Sequence, residues 1–183
     1  MEDVQPLIRI DTGRRSARGR DDPAEPPSDS MVDPRFQTFY GTHFAATVRL
    51  ARLLTGDPYA AEDIAQEAFI RLYRFGASGR RIDNPIGLLR TTTVNLCRTW
   101  HTSQQRARLR LVRHGLPDEA LSGPDRDLDA SLRRLPHDQR AVIVLRFWLR
   151  LSEAEIAVTL GCRPGTVKSR QARALRTLRK ELA

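Results

Sequence analysis

Leu151-Ser152-Glu153-Ala154-Glu155-Ile156-Ala157-Val158-Thr159-Leu160-Gly161-Cys162-Arg163-Pro164-Gly165-Thr166-Val167-Lys168-Ser169-Arg170 is the stretch whose reading decides the fold. Ser152 is a good helix N-cap, and Glu155 three residues on completes a capping box. Ile156, Ala157 and Leu160 face inward, with Ala157 small enough for close helix contact. Gly161 supplies the left-handed residue that ends the helix. A second helix opens around Pro164 to Thr166, and Val167 docks it back on the first. Its outer face carries Lys168, Ser169, Arg170, Arg173 and, further along, Arg176 and Lys180, while Leu175 and Leu178 supply its inner face. Such a helix-turn-helix reads duplex DNA when the second helix protrudes and its Arg and Lys side chains reach base edges and phosphates in the major groove. The bland alternative is an amphipathic helix with a solvated basic face. The cap, the small residue, the glycine turn and the basic helix occurring together favour DNA.

Upstream, Leu132, Leu135, Val142, Ile143, Leu145 and Trp148 are expected to form the supporting core, with Pro136 in the first turn of a helix. The run Ala141-Val142-Ile143-Val144-Leu145 is β-prone by propensity, yet the apolar period around it fits a buried helix better. No window shows convincing strand alternation. The expected fold is therefore all-α: two small helical domains joined by a flexible linker.

Composition divides the chain into four zones. Residues 1–32, with the run Asp21-Asp22-Pro23-Ala24-Glu25-Pro26-Pro27-Ser28-Asp29-Ser30, read as a disordered arm that cannot bury enough apolar surface to offset ordering entropy. Residues 33–106 read as a first helical module, 107–128 as a linker rich in Gly, Pro and acids, and 129–183 as a second module. Of 31 basic and 22 acidic residues in the 183, the second module holds twelve and five, and Arg163 to Lys180 holds seven basic residues and no acid. A local basic stripe points to nucleic acid more firmly than the net charge of +9 does. Cys97 and Cys162 lie far apart, and the four histidines, His43, His101, His114 and His137, are scattered. No metal site, disulfide or cofactor is expected. With no apolar run long enough for a membrane helix and no signal-peptide core, the expectation is a cytoplasmic protein without membrane attachment.

In the first module Asp57-Pro58 caps and opens a helix running to about Phe75, with Ala61, Ile64, Ala65, Ala68, Phe69 and Leu72 as its buried stripe. Glu62, Asp63, Gln66, Glu67 and Ile70 lie elsewhere; alone, they would be read as acids complementing the helix dipole. The basic loop Gly76 to Asp83 follows, and Asn84-Pro85 opens another helix. On it Ile86, Leu89, Thr93, Leu96, Cys97 and Trp100 fall near one face, and Arg90, Asn95, Arg98, His101 and Arg106 populate the other. A basic helix beside a glycine loop, carrying aromatics, can hold unstacked single-stranded bases, though Trp100 equally fits the core.

Two motifs in this order resemble one family. Ala61-Glu62-Asp63-Ile64-Ala65-Gln66-Glu67-Ala68-Phe69-Ile70-Arg71-Leu72-Tyr73 resembles the region 2 core-binding helix of extracytoplasmic-function (ECF) sigma-70 factors. Leu135-Pro136, Leu151 to Leu160 and Gly165 to Arg170 resemble their region 4, in wording similar to the actinobacterial SigE-like branch. Asn84-Pro85 through Asn95-Leu96 is similar to the promoter-melting helix of region 2. The resemblance implies an RNA polymerase sigma factor. Asp63, Gln66, Glu67 and Ile70 would dock on the β′ clamp helices of core polymerase, and region 4 would meet the β flap. Arg80, Arg81, Asn84, Arg90, Asn95 and Arg98 would contact the −10 element. Thr166, Lys168, Ser169, Arg170 and Arg173 would contact the −35 element. Many relatives are held inactive by an anti-sigma factor, which makes such a factor a candidate partner. One departure is Ile86-Gly87-Leu88, where the family often has an aromatic; Gly87 is expected to weaken the first turns.

Two other classes compete. A stand-alone helix-turn-helix regulator would need a symmetric dimer and has no use for the Asp63/Gln66/Glu67 face. An enzyme is disfavoured by the lack of any P-loop, zinc spacing or nucleophile signature.

Overall fold

The computed structural model describes residues 33–113 and 127–181. The arm read over 1–32, and 114–126 of the segment read as linker, lie outside the described residues. All regular structure among the described residues is helical: α1 (Pro34–Thr55), α2 (Pro58–Ala77), α3 (Pro85–Arg113), α4 (Asp127–Arg134), α5 (His137–Ile143), a π-helical turn over Val144–Trp148, α6 (Glu153–Leu160) and α7 (Pro164–Glu181).

The helix starts follow local chemistry. Asp33 accepts the Arg35 N–H at 2.9 Å and Asp57 accepts those of Tyr59 and Ala60 at 2.9 and 3.0 Å, each just before a proline in the first turn. Asn84 Oδ1 accepts the Gly87 N–H at 2.8 Å. A Cβ at position 87 would sit 2.7 Å from the Asn84 amide, so Gly87 makes room for the cap that starts α3. On α6, the Ser152 and Glu155 side chains bond each other's backbone N–H in a reciprocal capping box, and these bonds hold the Glu155 carboxyl below its ordinary value. Gly161, at φ 60°, ends the helix in the left-handed region.

The first module packs α1, α2 and α3 together, and the buried stripe of α2 is Ala61, Ile64, Ala65, Ala68, Phe69 and Leu72, as its spacing implies. Phe69 lies in an aromatic cluster with Phe36, Phe39, Tyr40 and Phe44. In the second module Leu132, Leu135, Ile143 and Ala174 form one cluster. The β-prone run Ala141 to Leu145 is helical and buried. It passes into the π turn, where the Leu149 N–H reaches the Val144 carbonyl at 3.2 Å.

The two modules meet in one continuous core. Leu50, Ala51 and Leu54 of α1 and Val94 and Cys97 of α3 share a buried cluster with Ala141, Val142, Leu145, Ile156 and Val167. The sequence reading joined two domains by a linker and did not foresee this seam. Its keystone is Arg140, only 4 % exposed. The guanidinium donates to the Leu54 carbonyl at 2.7 Å and to the Arg133 and Leu135 carbonyls at 2.6 and 3.3 Å. These carbonyls lie at the C-terminal ends of α1 and α4, which carry partial negative charge and lack helical partners. One buried cation thus ties two helix ends, one from each module. Burial still pushes the Arg140 guanidinium down to about 10.

Two expectations change. Ile86 is 43 % exposed, and Val94 takes the buried position on α3 instead. Pro136 stands at the cap position, one residue before α5. The helix α3 itself runs to Arg113, because no glycine or proline intervenes between position 106 and Gly115.

Candidate nucleic-acid interface

The basic helix of the helix-turn-helix is α7. Lys168, Ser169 and Arg173 are exposed on it, and Thr166 is half-buried. Val167 and Ala174, both fully buried, anchor the opposite side; the sequence reading named Leu175 and Leu178, which are half-buried, and missed Ala174. Lys168 Nζ lies 3.6 Å from Glu153 Oε2 across the turn, an exposed pair of small energetic weight that a phosphate can displace. The Ser169 hydroxyl donates to the Thr166 carbonyl at 3.0 Å. Arg170 departs from the expected outer face: it turns inward, half-buried, and pairs with Asp138 of α5.

The residues expected at the −10 element fall into two groups. Arg80, Arg81 and Asn84 surround the loop between α2 and α3 and are exposed. The Arg80 guanidinium stands 5.4 Å from the centroid of the Phe75 ring, and Arg81 Nε pairs with Asp83 at 2.8 Å. Asn84 spends its oxygen on the helix cap, leaving its amide nitrogen as donor. On α3, Asn95 is exposed, whereas Arg90 is half-buried and its charge acts on Glu155 of α6. Arg98 lies 3.7 Å from Asp138 Oδ1. One carboxylate therefore serves arginines from both modules. His101, read with the polar face, instead reaches the Leu54 carbonyl through Nε2 at 2.8 Å. Only tertiary packing brings Arg98, His101, Asp138 and Arg170 together.

On the far side of the first module, Asp63, Gln66, Glu67 and Ile70 form one ridge of α2, opposite its buried stripe. Glu67 pairs with Arg71 one turn on at 2.7 Å. Beside the ridge runs a groove of about 470 Å³, lined by Phe36, Tyr40, Phe69, Ile70 and Tyr73, with Gln66 and Arg74 as its polar members. The sequence reading missed Phe36, Tyr40 and Tyr73. The available signal was Phe36 and Tyr40 one turn apart on α1, and Tyr73 three residues after Ile70.

Among the described residues no group of three or more His, Cys, Asp or Glu could hold a metal ion, and no helix is long and apolar enough to cross a membrane. Burial pushes the Cys97 thiol up to about 12, so it packs as a small apolar group.

Comparison with known proteins adds to this geometry. The family described as Sigma-70 region 2 matches residues 39–107, and Sigma-70, region 4 matches residues 125–178. The chain is 35% identical over 153 residues to RNA polymerase sigma-E factor of Streptomyces avermitilis, covering 80% of this chain and 84% of that protein. It is 34% identical over 155 residues to ECF RNA polymerase sigma factor SigL of Mycobacterium tuberculosis, covering 78% and 86%. Among solved structures it is similar to the sigma factor RpoE in complex with the anti-sigma factor NepR from Bartonella quintana. The TM-score is 0.64 at 26% identity, over 81% of this chain and 96% of that one. CnrH, solved with the cytosolic domain of CnrY, shares the fold at TM-score 0.59 and 24% identity, over 80% and 86%.

Proposed function

This chain belongs to the ECF group of sigma-70 RNA polymerase sigma factors, of the SigE-like type, and from that premise we propose how its surfaces divide the work. As a sigma factor it directs promoter-specific transcription initiation on core RNA polymerase. The acidic ridge of Asp63, Gln66, Glu67 and Ile70, with the aromatic groove beside it, docks on the β′ clamp helices. Arg80, Arg81, Asn84, Arg90, Asn95 and Arg98 contact the −10 element as it melts. Thr166, Lys168, Ser169, Arg170 and Arg173 contact the −35 element, while region 4 also meets the β flap. Residues 33–106 act as region 2 and 129–183 as region 4, joined through 107–128. The factor acts in the cytoplasm, by binding and not by catalysis. An anti-sigma factor is a further partner; the RpoE relative solved in complex with one supports that reading.

The observation that carries this division is the separation of charge on the surface. An exposed acidic ridge stands on α2, and an exposed cationic face stands on α7, each on its own module. A stand-alone regulator is not favoured, because both sigma regions match in order along the chain. Run-off transcription with purified core polymerase on genomic promoter fragments tests the proposal. Transcripts that start only when the chain is added support it. A chain that fails to associate with core at low salt rejects it.

A further inference from the structure

The seam between the modules holds ionisable groups that no step of promoter recognition uses. His101 of α3 and His137 of α5 face each other with ring centroids 4.6 Å apart. His101 is held by the Leu54 carbonyl of α1, and neither ring nitrogen of His137 has a hydrogen-bond partner among the described residues. Next in sequence, Asp138 pairs with Arg98 of α3 and Arg170 of α7 at once. We propose that this seam is a proton-sensitive latch: the neutral His101–His137 pair keeps it shut, and while it is shut Asp138, already paired with Arg170 of its own module, also holds the promoter-contacting Arg98 of the first module out of use.

The latch rests on the reading of Arg98 and Arg170 as promoter contacts. The −10 and −35 elements are, by their names, about 25 base pairs apart, which is roughly 85 Å at 3.4 Å per pair. Two arginines sharing one carboxylate cannot reach both elements, so promoter binding requires the modules to part. A phosphate can then replace Asp138 as the partner of Arg98, while the Asp138–Arg170 pair, which lies within one module, is not broken by the parting itself.

Protons act on the same equilibrium through the rings. The charged groups facing them are Arg98 on α3, Asp138 and Arg140 on α5, Arg133 on α4, which bears on Arg140, and Arg170 across Asp138 on α7. From α1 the Leu54 carbonyl faces His101. Cations outnumber the single carboxylate, so a proton added to either ring meets repulsion as well as lost solvation. His137 is pushed down to about 4, first by burial and then by His101, Arg140 and Arg98, with Asp138 opposing. His101 is lowered by burial and by Arg140, against the pull of the Leu54 carbonyl. Parted modules return both rings to water and to an ordinary value near 6.5. The open form therefore binds more protons below that value. The shut form keeps its full advantage above about pH 6.5 and loses it as the pH falls toward 4. His137 alone shifts the balance toward the open form about fourfold by pH 6 and about 30-fold by pH 5, relative to pH 7.5.

Cys97 reports on this opening, since it is fully buried in the shared core and close enough to feel the charge of Arg140. In the full chain carrying Cys162→Ser, thiol labelling by dithiodipyridine is measured against glutathione at the same pH, which removes the intrinsic pH dependence. Protection of Cys97 is expected to fall about 30-fold between pH 7.5 and 5.0 with helical circular dichroism unchanged. His137→Phe, which keeps a ring but takes no proton, should remove most of that fall, leaving only the share that His101 carries. Asp138→Asn should lower protection at both pH values. Constant protection, an equal fall in His137→Phe, or a parallel loss of helicity overturns the latch. Should His137→Phe not fold, the titration of His137 in the unaltered protein by NMR decides: a midpoint near 6.5 at the intact seam rejects the proposal. Run-off transcription at pH 7.5 separates the two claims. A seam that ignores pH in a protein that still programs core polymerase rejects only the latch. A pH-sensitive seam in a protein that cannot bind core rejects only the sigma assignment.

Discussion

The α2 ridge and the α3 face at the seam are both polar surfaces of the first module, yet the structure treats them in opposite ways. Asp63, Gln66 and Ile70 stand exposed beside an open aromatic groove. Arg98, by contrast, shares Asp138 with Arg170, and behind them Arg140 is buried against three carbonyls. The ridge can meet a partner without rearrangement. On the proposed reading of Arg98 as a promoter contact, that arginine must first be released from Asp138. On the proposed division of surfaces, the chain meets polymerase before promoter.

The sharpest way to break that contrast is to reverse the ridge. Asp63→Arg with Glu67→Arg should weaken core association by at least about 1,000-fold, since like charges at an interface cost several kcal/mol. Asp63 is exposed and the half-buried Glu67 makes a solvent-accessible pair with Arg71 that carries little energy, so the melting temperature should hold. Pull-down of core, read beside a thermal melt, checks both halves; retained binding would remove the ridge from the polymerase contact.

Arg140→Met should cost about 3 kcal/mol in urea unfolding, because it leaves buried carbonyls unpaired. Arg140→Lys should restore less than half of that loss, since a single ammonium cannot span the carbonyls that the guanidinium reaches. Full rescue by lysine would show that charge alone holds the seam.

Arg173→Ala should weaken duplex binding by about 1–3 kcal/mol and relax preference at one −35 position. Arg173 is exposed on α7 and, among the described residues, shares no ion pair with the seam, so Cys97 protection should not change. A uniform loss across sequences in a fluorescence-anisotropy series would reduce its role to a phosphate contact.

Gly56→Ala should cost about 1–2 kcal/mol in stability. Gly56 has φ 78°, and an added Cβ would lie 2.5 Å from Arg133 Cδ, whose guanidinium donates to the Gly56 carbonyl at 3.3 Å. The loss should appear in both the urea midpoint and Cys97 protection. A fall in stability with intact Cys97 protection would place the strain in α1 and not at the seam.

The sequence alone determined the helical class, the capped starts of α2 and α6, the buried stripe of α2 and the helix-turn-helix. Each is written in spacings of three and four residues and in caps that act over one turn. The family resemblance was legible for the same reason, because its motifs are local. Other features were not legible. Arg98 and His101 read as outward-facing until the second module was packed against them, Arg170 until α5 of its own module was, and Ile86 read as core until Val94 took that place. Nothing local marks Arg140 as buried, because its partners include Leu54, 86 positions away. Helical period fixes which side chains share a face, but only the packing of one element on another decides whether that face meets water, a carboxylate or the end of a distant helix.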